Sequence, residues 1–285
     1  MPHKTAPTVS VIMPVYNGGS DLLLAIESVL AQEFGDFELI VVDDGSLDGC
    51  IDMLSSLQDV RIKLVRQNHG GLVAALNNGV QQSSGRYIAR HDQDDVSFPQ
   101  RFTKQVEFLE VNPKVDLLGT RAIVFKNCGE VVGLLPFVAS HDALTAKLWR
   151  GIPLPHPTWM GRREWFLQNP YRVPEVLRAE DQELLLRASY TSCYACLADV
   201  LVGYRQNTFK FKRTIKTRFT VLAMQTQIFK SHNSWINLLL CIGTIAVKVV
   251  VDLVSAAPGA DKLWFLRMNV KPNAADQSTL RKFFL

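Results

Sequence analysis

Cysteine is scarce in this sequence, and its pattern gives no sign of a metal or redox centre. There are 5 cysteines in 285 residues, and an odd number favours reduced thiols and a cytosolic compartment. Cys193 and Cys196 have the spacing of a redox or zinc pair, but no second pair of this kind accompanies them. Because we expect these two residues to face opposite sides of a strand, we assign them no metal or redox function.

A large excess of charge is also missing. The chain has 31 basic and 27 acidic residues, a net charge of +4, which gives no reason to expect nucleic acid as a partner. Acidic residues are nevertheless absent from Val200 to Val251, where basic residues recur. This asymmetry predicts a molecule in two parts, with an acidic site in residues 1–207 and a basic, apolar tail over residues 208–285.

The first residues do not have the features of a signal peptide, since residues 1–8 are polar and lead directly into a strand. Near the other end, Trp235 to Ala257 is apolar and long enough to cross a bilayer. Lys248 and Asp252 interrupt it; they are four residues apart and we expect them to pair, although charge is costly in lipid. The basic run Lys210 to Arg218 precedes this helix. We therefore expect it to lie on an anionic membrane surface, with a buried helix or a spanning helix as alternatives.

Apolar segments of strand length alternate with helical periodicities through the first 120 residues. Because each strand is apolar throughout, we expect a parallel sheet covered by helices on both faces, in an α/β fold. Beyond Thr120 the alternation loosens, and we expect a hairpin around Asn127-Cys128-Gly129. The predicted strands are Val9–Met13, Phe37–Val42, Ile62–Val65, Tyr87–Ala89, Val115–Gly119 and Cys196–Arg205, and the later predicted helices are Ser140–Trp149 and Glu180–Ser189.

Three carboxylates, Asp92, Asp94 and Asp95, fall within four positions just after the strand Tyr87–Ala89. Like charges this close are costly to fold unless a cation lies among them. Oxygen ligands suit Mg²⁺ or Mn²⁺, and open α/β sheets bind ligands at the carboxyl edge of their strands. A solvated acidic turn is the alternative for this motif alone.

Three other segments carry polar residues at similar places. Pro14-Val15-Tyr16-Asn17 follows the first strand and Asp43-Asp44-Gly45-Ser46 the second. A helix N-cap would explain Ser46 but not two adjacent acids. The third segment, Ala179-Glu180-Asp181, begins a helix whose N-terminus keeps a carboxylate ionised.

These motifs, in this order, resemble glycosyltransferase family 2, inverting enzymes of the GT-A fold, over Val9 to Asn207. The resemblance implies a Rossmann-like, mostly parallel sheet with a nucleotide-binding half (1–120) and an acceptor-binding half (121–207), followed here by a helical, membrane-associating tail. It also implies a nucleotide-sugar donor, most simply a UDP-sugar, and a divalent cation, Mn²⁺ or Mg²⁺. It further implies transfer to a glycan in polysaccharide biosynthesis. If the tail binds the membrane, we expect a lipid-linked sugar as acceptor, at the inner face of the cell membrane.

The resemblance also implies roles for individual residues. Asp44 would accept the imide N–H of a uracil, and Asp181 would be the base that deprotonates the acceptor. The turn Asn68-His69-Gly70-Gly71 would approach the base or ribose, unless it is an ordinary connecting turn. For Arg101, pairing with the carboxylates is as good an expectation as contact with substrate. The full assignment is donor binding by Pro14, Val15, Tyr16, Asn17, Asp43, Asp44, Asn68, Asn77, Asp92 and Asp94, metal binding by Asp95 and Asp94, catalysis by Asp181, and acceptor binding or support by Glu180, Glu183, Arg101, His156 and Arg205.

The chain departs from the family pattern at two places. Asn207 stands where many relatives have a histidine, and glycines follow Asn17 where an acidic residue is frequent. Two other functions stay open. A sugar-phosphate nucleotidyltransferase would need a basic phosphate loop, and Pro14 to Ser20 contains no Lys or Arg. A non-catalytic nucleotide-binding or membrane-binding relative would not need the acids at 92, 94, 95 and 181.

Overall fold

The computed structural model describes residues 6–127, 129–173, 178–206, 211–255 and 270–284. Its described strands form one sheet in the order β3-β2-β1-β4-β8-β6-β9-β5, with β7 paired to β6. The strands are β1 Val9–Val15, β2 Phe37–Asp43, β3 Ile62–Arg66, β4 Tyr87–Arg90, β5 Val96–Ser97, β6 Leu117–Lys126, β7 Glu130–Leu134, β8 Met160–Arg162 and β9 Tyr194–Arg205.

Helices cover this sheet. The segments between the early strands supply α1, α2 and α3, as the alternating pattern predicts, and α7 and α8 follow β9. Short 3₁₀ turns lie at Cys50–Ser56, Leu148–Arg150 and His156–Thr158. The α-helices are α1 Asp21–Leu30, α2 Leu72–Gln82, α3 Arg101–Val111, α4 His141–Thr145, α5 Arg163–Gln168, α6 Glu180–Ala188, α7 Phe211–Ser231, α8 Trp235–Ser255 and α9 Ala274–Arg281.

The parallel core of the sheet brings the predicted motifs to one edge. Strands β2 and β4 both pair in parallel with β1, and the register places Asp43 beside Val15 and Arg90 beside Ile12. Both faces of β1 are buried, which explains why its sequence is apolar without alternation. The residues that follow these three strands therefore lie next to each other.

The α/β fold prediction is confirmed, with differences after Thr120. The sheet is mixed, because β8 is antiparallel to β4 and β6, and β5 and β7 are antiparallel to their neighbours. The hairpin around Asn127 is present, although Cys128 itself lies outside the described residues. The predicted helix Ser140–Trp149 is wrong in length, because α4 ends at Thr145. Lys147 leaves the helical conformation (φ −133°, ψ 56°). Gln225 of α7 donates to the carbonyls of Leu148 and Trp149 (3.2 Å each), which holds the separate turn Leu148–Arg150 against the tail.

The tail completes the core of the molecule. Phe229 of α7 and Cys241 of α8 are buried in the same apolar cluster as Leu184 of α6. Leu280 of α9 is fully buried beside Phe98. Burial on this scale is a main source of folding free energy. We therefore expect that residues before 207 do not fold alone, although they remain the predicted catalytic part of the chain.

The predicted pairing of Lys248 with Asp252 is replaced by another. Asp252 is 1% exposed and its Oδ2 lies 2.9 Å from Nε of Arg218 on α7. Lys248 donates to the carbonyl oxygen of Arg150 (3.3 Å). A buried carboxylate needs a charged partner, and the packing of α8 on α7 supplies one that the sequence spacing did not indicate.

Candidate active site

Asp43 and Asp44 close β2 at the edge where β1 also ends. The backbone N–H of Asp44 donates to the carbonyl of Val15 (2.8 Å), which continues the strand pairing. Oδ1 of Asp43 accepts from the N–H of Ser46 (2.9 Å). Asp43 is buried and stabilises the turn, so its contact with a donor stays a prediction.

The Asp44 carboxylate holds the glycine turn that follows β3. Oδ1 accepts from Nε2 of Gln67 (2.7 Å) and from the N–H of Gly70 (2.8 Å), and Oδ2 accepts from the N–H of Gly71 (2.9 Å). Nδ1 of His69 also lies 2.9 Å from Oδ2. With both oxygens engaged, a uracil imide would have to share one of them. The predicted uracil contact therefore requires a rearrangement of this turn or a shared hydrogen bond.

Tyr16 presents an aromatic surface beside this turn. Its ring is 42% exposed and stacks on His69, with the ring centroids 4.1 Å apart. Gln93 fixes the Tyr16 backbone from the acidic loop, since its Oε1 accepts from the Tyr16 N–H (2.8 Å) and its Nε2 donates to the Tyr16 carbonyl (3.3 Å). A flat, exposed ring suits a nucleobase. The sequence placed His69 in the turn expected to approach the base or ribose, but it gave no role to Gln93.

The neighbours of Tyr16 divide by exposure. Pro14 and Val15 are buried in β1 and support the end of the strand, so contact between their side chains and a ligand is not available here. Asn17 is exposed at φ 50°, and its Oδ1 accepts from the N–H of Leu47 (2.8 Å). Asn68 is exposed in the turn after β3. Tyr16, Asn17 and Asn68 are thus the accessible members of the predicted donor set on this side.

The acidic loop after β4 contains a carboxylate oxygen without a partner. Asp95 is 1% exposed, and its Oδ1 accepts from the backbone N–H of Arg205 (2.8 Å). Among the residues that the structure describes, Oδ2 of Asp95 has no hydrogen-bond partner. Burial, then Asp92 and Asp94, raise the pKa of Asp95 well above its ordinary value. Burial and Asp92 likewise raise the pKa of Asp94 to about 6.

These features fit a divalent cation at Asp94 and Asp95. Excess negative charge in a buried site and an unsatisfied carboxylate oxygen are both relieved by a bound cation. Within the described part of the chain, no three His, Cys, Asp or Glu residues converge as a self-sufficient metal site. Mg²⁺ and Mn²⁺ are commonly held by one or two carboxylates, with substrate phosphates and water as the other ligands. The donor set therefore fits a metal that binds together with a diphosphate.

Arg90, the last residue of β4, acts electrostatically on two groups of acids. It is buried and forms an ion pair with Asp92. Burial raises the pKa values of Asp94, Asp95, Glu180 and Asp181, and the charge of Arg90 opposes that rise in all four. The guanidinium is thus within electrostatic reach of both the acidic loop and the start of α6.

Arg101 does not occupy the place expected from the sequence. It is 0% exposed, and its guanidinium donates to the carbonyls of Arg90 (2.8 Å) and Trp159 (3.2 Å) and to Oγ of Ser97 (2.9 Å). It therefore forms no direct ion pair with the acidic-loop carboxylates, and its buried guanidinium is not placed to contact a sugar acceptor. Burial and the neighbouring Arg90 lower the pKa of Arg101 to about 9. Its part is to hold the end of β4 in place.

Glu180 and Asp181 stand at the N-terminus of α6, as expected. Burial and the adjacent Asp181 raise the pKa of Glu180 to about 7, and its Oε2 has no hydrogen-bond partner among the described residues. Burial also raises the pKa of Asp181. Glu183 instead forms an i, i+4 ion pair with Arg187 (2.8 Å) and is 1% exposed, so it stabilises the helix.

His156 and Asn77 both form hydrogen bonds with Tyr171. Nε2 of His156 lies 2.6 Å from the Tyr171 hydroxyl, and the Asn77 amide makes two hydrogen bonds with the Tyr171 backbone (2.9 and 3.0 Å). The Asn77 amide therefore holds the backbone of Tyr171, and its contact with a donor stays a prediction. Tyr171 lies within electrostatic reach of Arg90, Glu180 and Asp181. Sequence reasoning missed Tyr171.

Arg205 fastens the acidic loop from β9. Its Nε donates to the carbonyl of Asp94 (2.9 Å), and its guanidinium lies 3.1 Å from Oδ1 of Asp21 on α1. The side chain is buried, which points to support of the metal loop more than to acceptor binding. Asn207, the position of the expected histidine, lies outside the described residues.

Comparison with known proteins decides the family. The family description "Glycosyl transferase family 2" matches residues 10–168, which is more than half of the 285 residues. The chain belongs to glycosyl transferase family 2. Of the functions that the sequence left open, this selects glycosyl transfer, and the chain is a glycosyltransferase of the GT-A fold.

Relatives of the glycosyltransferase come from bacteria and from Dictyostelium discoideum. EpsE of Bacillus subtilis (strain 168), which carries the name of a glycosyltransferase, is 35% identical over 218 residues, or 74% of this chain and 77% of EpsE. An uncharacterized glycosyltransferase of Haemophilus influenzae is 29% identical over 223 residues, or 71% of this chain and 66% of that protein. Some relatives are much longer, since the match covers 18% of the bifunctional glycosyltransferase pgtA of Dictyostelium discoideum.

Solved structures confirm the fold of the glycosyltransferase. TarS residues 1–349 of S. aureus superimposes with a TM-score of 0.62 at 16% identity, covering 97% of this chain and 90% of that one. A mannosyltransferase from Pyrobaculum calidifontis, solved with GDP-Man and Mn²⁺, gives 0.59 at 14% identity over 99% of this chain and 88% of that one. At these identities the likeness shows the fold alone.

The raised pKa of Glu180 predicts a pH dependence of stability for the glycosyltransferase. Between the ordinary pKa of 4.5 and the folded-state value of about 7, the folded chain holds a proton that the unfolded chain has released. The free energy of unfolding should therefore fall as the pH rises through this window. In metal-free buffer, the melting temperature of the wild type should drop relative to that of Glu180→Gln between about pH 4.5 and pH 7.5. If the melting temperatures of the two proteins change with pH in parallel over that range, Glu180 is not protonated in the folded state.

Proposed function

We propose that this glycosyltransferase is metal-dependent and inverting, and that it moves a sugar from a nucleotide sugar, most simply a UDP-sugar, to a glycan or lipid-linked acceptor. The observation that carries the proposal is the buried Asp95 carboxylate with one unpartnered oxygen, beside a second carboxylate of raised pKa, Asp94. Such a pair is suited to bind a diphosphate through a shared cation.

The donor would bind across the ends of β1, β2 and β4. The exposed ring of Tyr16 offers a stacking surface for the base, and the glycine turn held by Asp44 offers backbone groups at close approach. Asp94 and Asp95 would hold the cation. When bound, Mn²⁺ or Mg²⁺ neutralises the diphosphate and stabilises it as a leaving group. Arg90 forms an ion pair with Asp92, which limits repulsion of the anionic donor.

The acceptor hydroxyl would be deprotonated by Asp181. Inversion requires attack on the anomeric carbon from the side opposite the diphosphate, so the base must lie across the donor from the acidic loop. Asp181 is on α6, and Arg90 lies within electrostatic reach of both this residue and the acidic loop. The carboxylate would take the hydroxyl proton as the new glycosidic bond forms and the bond to the diphosphate breaks. Glu180, with a pKa of about 7, would be protonated part of the time and would keep negative charge from accumulating beside the base.

The solved relatives support a nucleotide-sugar donor. TarS has been crystallised with UDP-GlcNAc, and the Pyrobaculum mannosyltransferase with GDP-Man and Mn²⁺. We extend this to the present chain as a UDP-sugar or GDP-sugar donor, with UDP preferred on the family resemblance. We further propose that the product enters a surface polysaccharide and that the enzyme works in the cytoplasm at the inner face of the cell membrane.

A screen of nucleotide sugars tests this function. We expect one UDP-sugar to raise the melting temperature in the presence of Mn²⁺ and to be hydrolysed slowly to UDP and free sugar when no acceptor is present. A matched screen with EDTA should give neither effect. If no nucleotide sugar stabilises the protein or is consumed with any divalent cation, the proposed donor class is wrong.

A further inference from the structure

Helix α8 exposes its apolar face to solvent. It is 21 residues long with a mean hydropathy of 2.2, and only 22% of its most apolar stretch is buried. The buried positions Leu238, Cys241, Ile245, Asp252 and Ser255 follow a helical spacing and mark the side that packs on the protein. Ten large apolar side chains between Trp235 and Val254 are 42–76% exposed.

The polar residues of α8 lie on the protein side. Asp252 is buried in its ion pair with Arg218, and Lys248 donates to the Arg150 carbonyl. In the helix of a soluble protein the polar residues face water and the apolar stripe faces the core. The reverse arrangement, with an exposed apolar face of this length, marks an interaction surface.

Helix α7, which is joined to α8 by the ion pair of Arg218 with Asp252, carries exposed positive charge. Its exposed residues include Lys212, Lys216 and Lys230, and between Phe211 and Ser231 the sequence has no Asp or Glu. Phe219 on the same helix is 58% exposed. A surface that combines exposed apolar side chains with positive charge complements a bilayer, in which anionic headgroups lie over acyl chains.

We propose that the outward face of α8 docks on one leaflet of an anionic lipid bilayer, with the lysines of α7 at the headgroups. A spanning position does not fit, because the inner stripe of α8 is committed to α7 and to the turn Leu148–Arg150. A second copy of the chain fits less well, because it would bring further lysines to the contact, while the carboxylate of this helix pair, Asp252, is buried in its ion pair with Arg218.

Docking here would bring the predicted base near the membrane. Lys248 of α8 contacts Arg150, and the next residues of that segment are fixed to α6, since the Gln182 amide makes two hydrogen bonds with the Ile152 backbone (3.0 Å each). Gln182 is the neighbour of Asp181. This part of the inference rests on the proposed function, and it identifies the acceptor class as a sugar carried on a membrane lipid.

Flotation of the full chain with lipid vesicles tests the docking surface. The wild type should float with phosphatidylcholine vesicles that contain about a third phosphatidylglycerol, and less with phosphatidylcholine alone or in roughly 1 M salt. The double variant Leu239→Asp and Val247→Asp, at side chains 72% and 65% exposed, should lose bound fraction by about tenfold or more. The control Val60→Asp and Val111→Asp changes side chains that are 87% and 77% exposed elsewhere and should float like the wild type.

Other outcomes overturn the proposal. The face is a contact between copies if the wild type ignores vesicles and sediments as a dimer, while the Leu239→Asp and Val247→Asp variant is a monomer. Resistance of vesicle-bound protein to both high salt and carbonate would show a spanning helix. Stabilisation by UDP with Mn²⁺, measured without vesicles, should be equal in both double variants. Its absence from the wild type as well would contradict the proposed function and leave the flotation result standing.

Discussion

Replacing Asp181 with asparagine is expected to reduce sugar transfer by roughly two to four orders of magnitude, the usual contribution of a general base. The amide keeps the shape of the side chain but cannot take the acceptor proton. Affinity for UDP should stay close to that of the wild type, because the predicted donor contacts lie at β1, β2 and the acidic loop. Steady-state transfer and UDP titration of the same preparation check both parts.

Two neighbouring glutamates provide the controls for Asp181. Glu183→Gln should reduce thermal stability through loss of its buried ion pair with Arg187, and we expect a small effect on transfer per folded molecule. Glu180→Gln should retain most of the transfer activity. If Asp181→Asn stays within a few-fold of the wild type while Glu180→Gln is inactive, the base is Glu180 and the assignment made here is wrong.

Replacing Asp95 with asparagine is expected to remove the part of UDP binding that depends on a divalent cation. In the wild type, Oδ2 of Asp95 is buried without a partner, so a cation gains a ligand there at little cost in competing hydrogen bonds. With Mn²⁺ present, UDP should clearly raise the melting temperature of the wild type. The shift that UDP causes in Asp95→Asn with Mn²⁺ should be no larger than the shift it causes in the wild type with EDTA.

An isosteric control separates this effect from a general loss of charge. Asp59 forms a half-buried ion pair with Arg61 (2.7 Å) just before β3, outside the acidic loop. Asp59→Asn should therefore keep the full Mn²⁺-dependent response. If Asp95→Asn also keeps it, the cation is held elsewhere and Asp95 is a structural acid.

The edge of the sheet was predictable because its signals are local. Fully apolar strands followed at once by polar residues give both the parallel core and the positions of Asp43 and Asp92 along its edge. Hydrogen-bond partners that are distant in the sequence were not predictable in the same way. Tyr171 meets Asn77 across 94 positions of sequence, and no spacing rule links residues so far apart.

The roles of Asp44 and Arg101 show the same limit. The motif correctly marked Asp44 as a residue at the end of β2, but its carboxylate is engaged by Gly70 and Gly71, a contact set by how the loop after β3 folds back. For Arg101, the sequence left pairing with the carboxylates and contact with substrate equally open. Its burial depends on carbonyl acceptors from β4 and Trp159, which only the assembled sheet brings together.

Calorimetric titration of wild-type protein with UDP, with Mn²⁺ and then with EDTA, tests the central claim most directly. The claim is that the buried acids after β4 bind the donor diphosphate through a cation. We expect UDP to bind at least roughly tenfold more tightly with Mn²⁺ than without it, and its affinity to return to the weaker value when EDTA is added. Equal affinity in Mn²⁺ and in EDTA would contradict the claim.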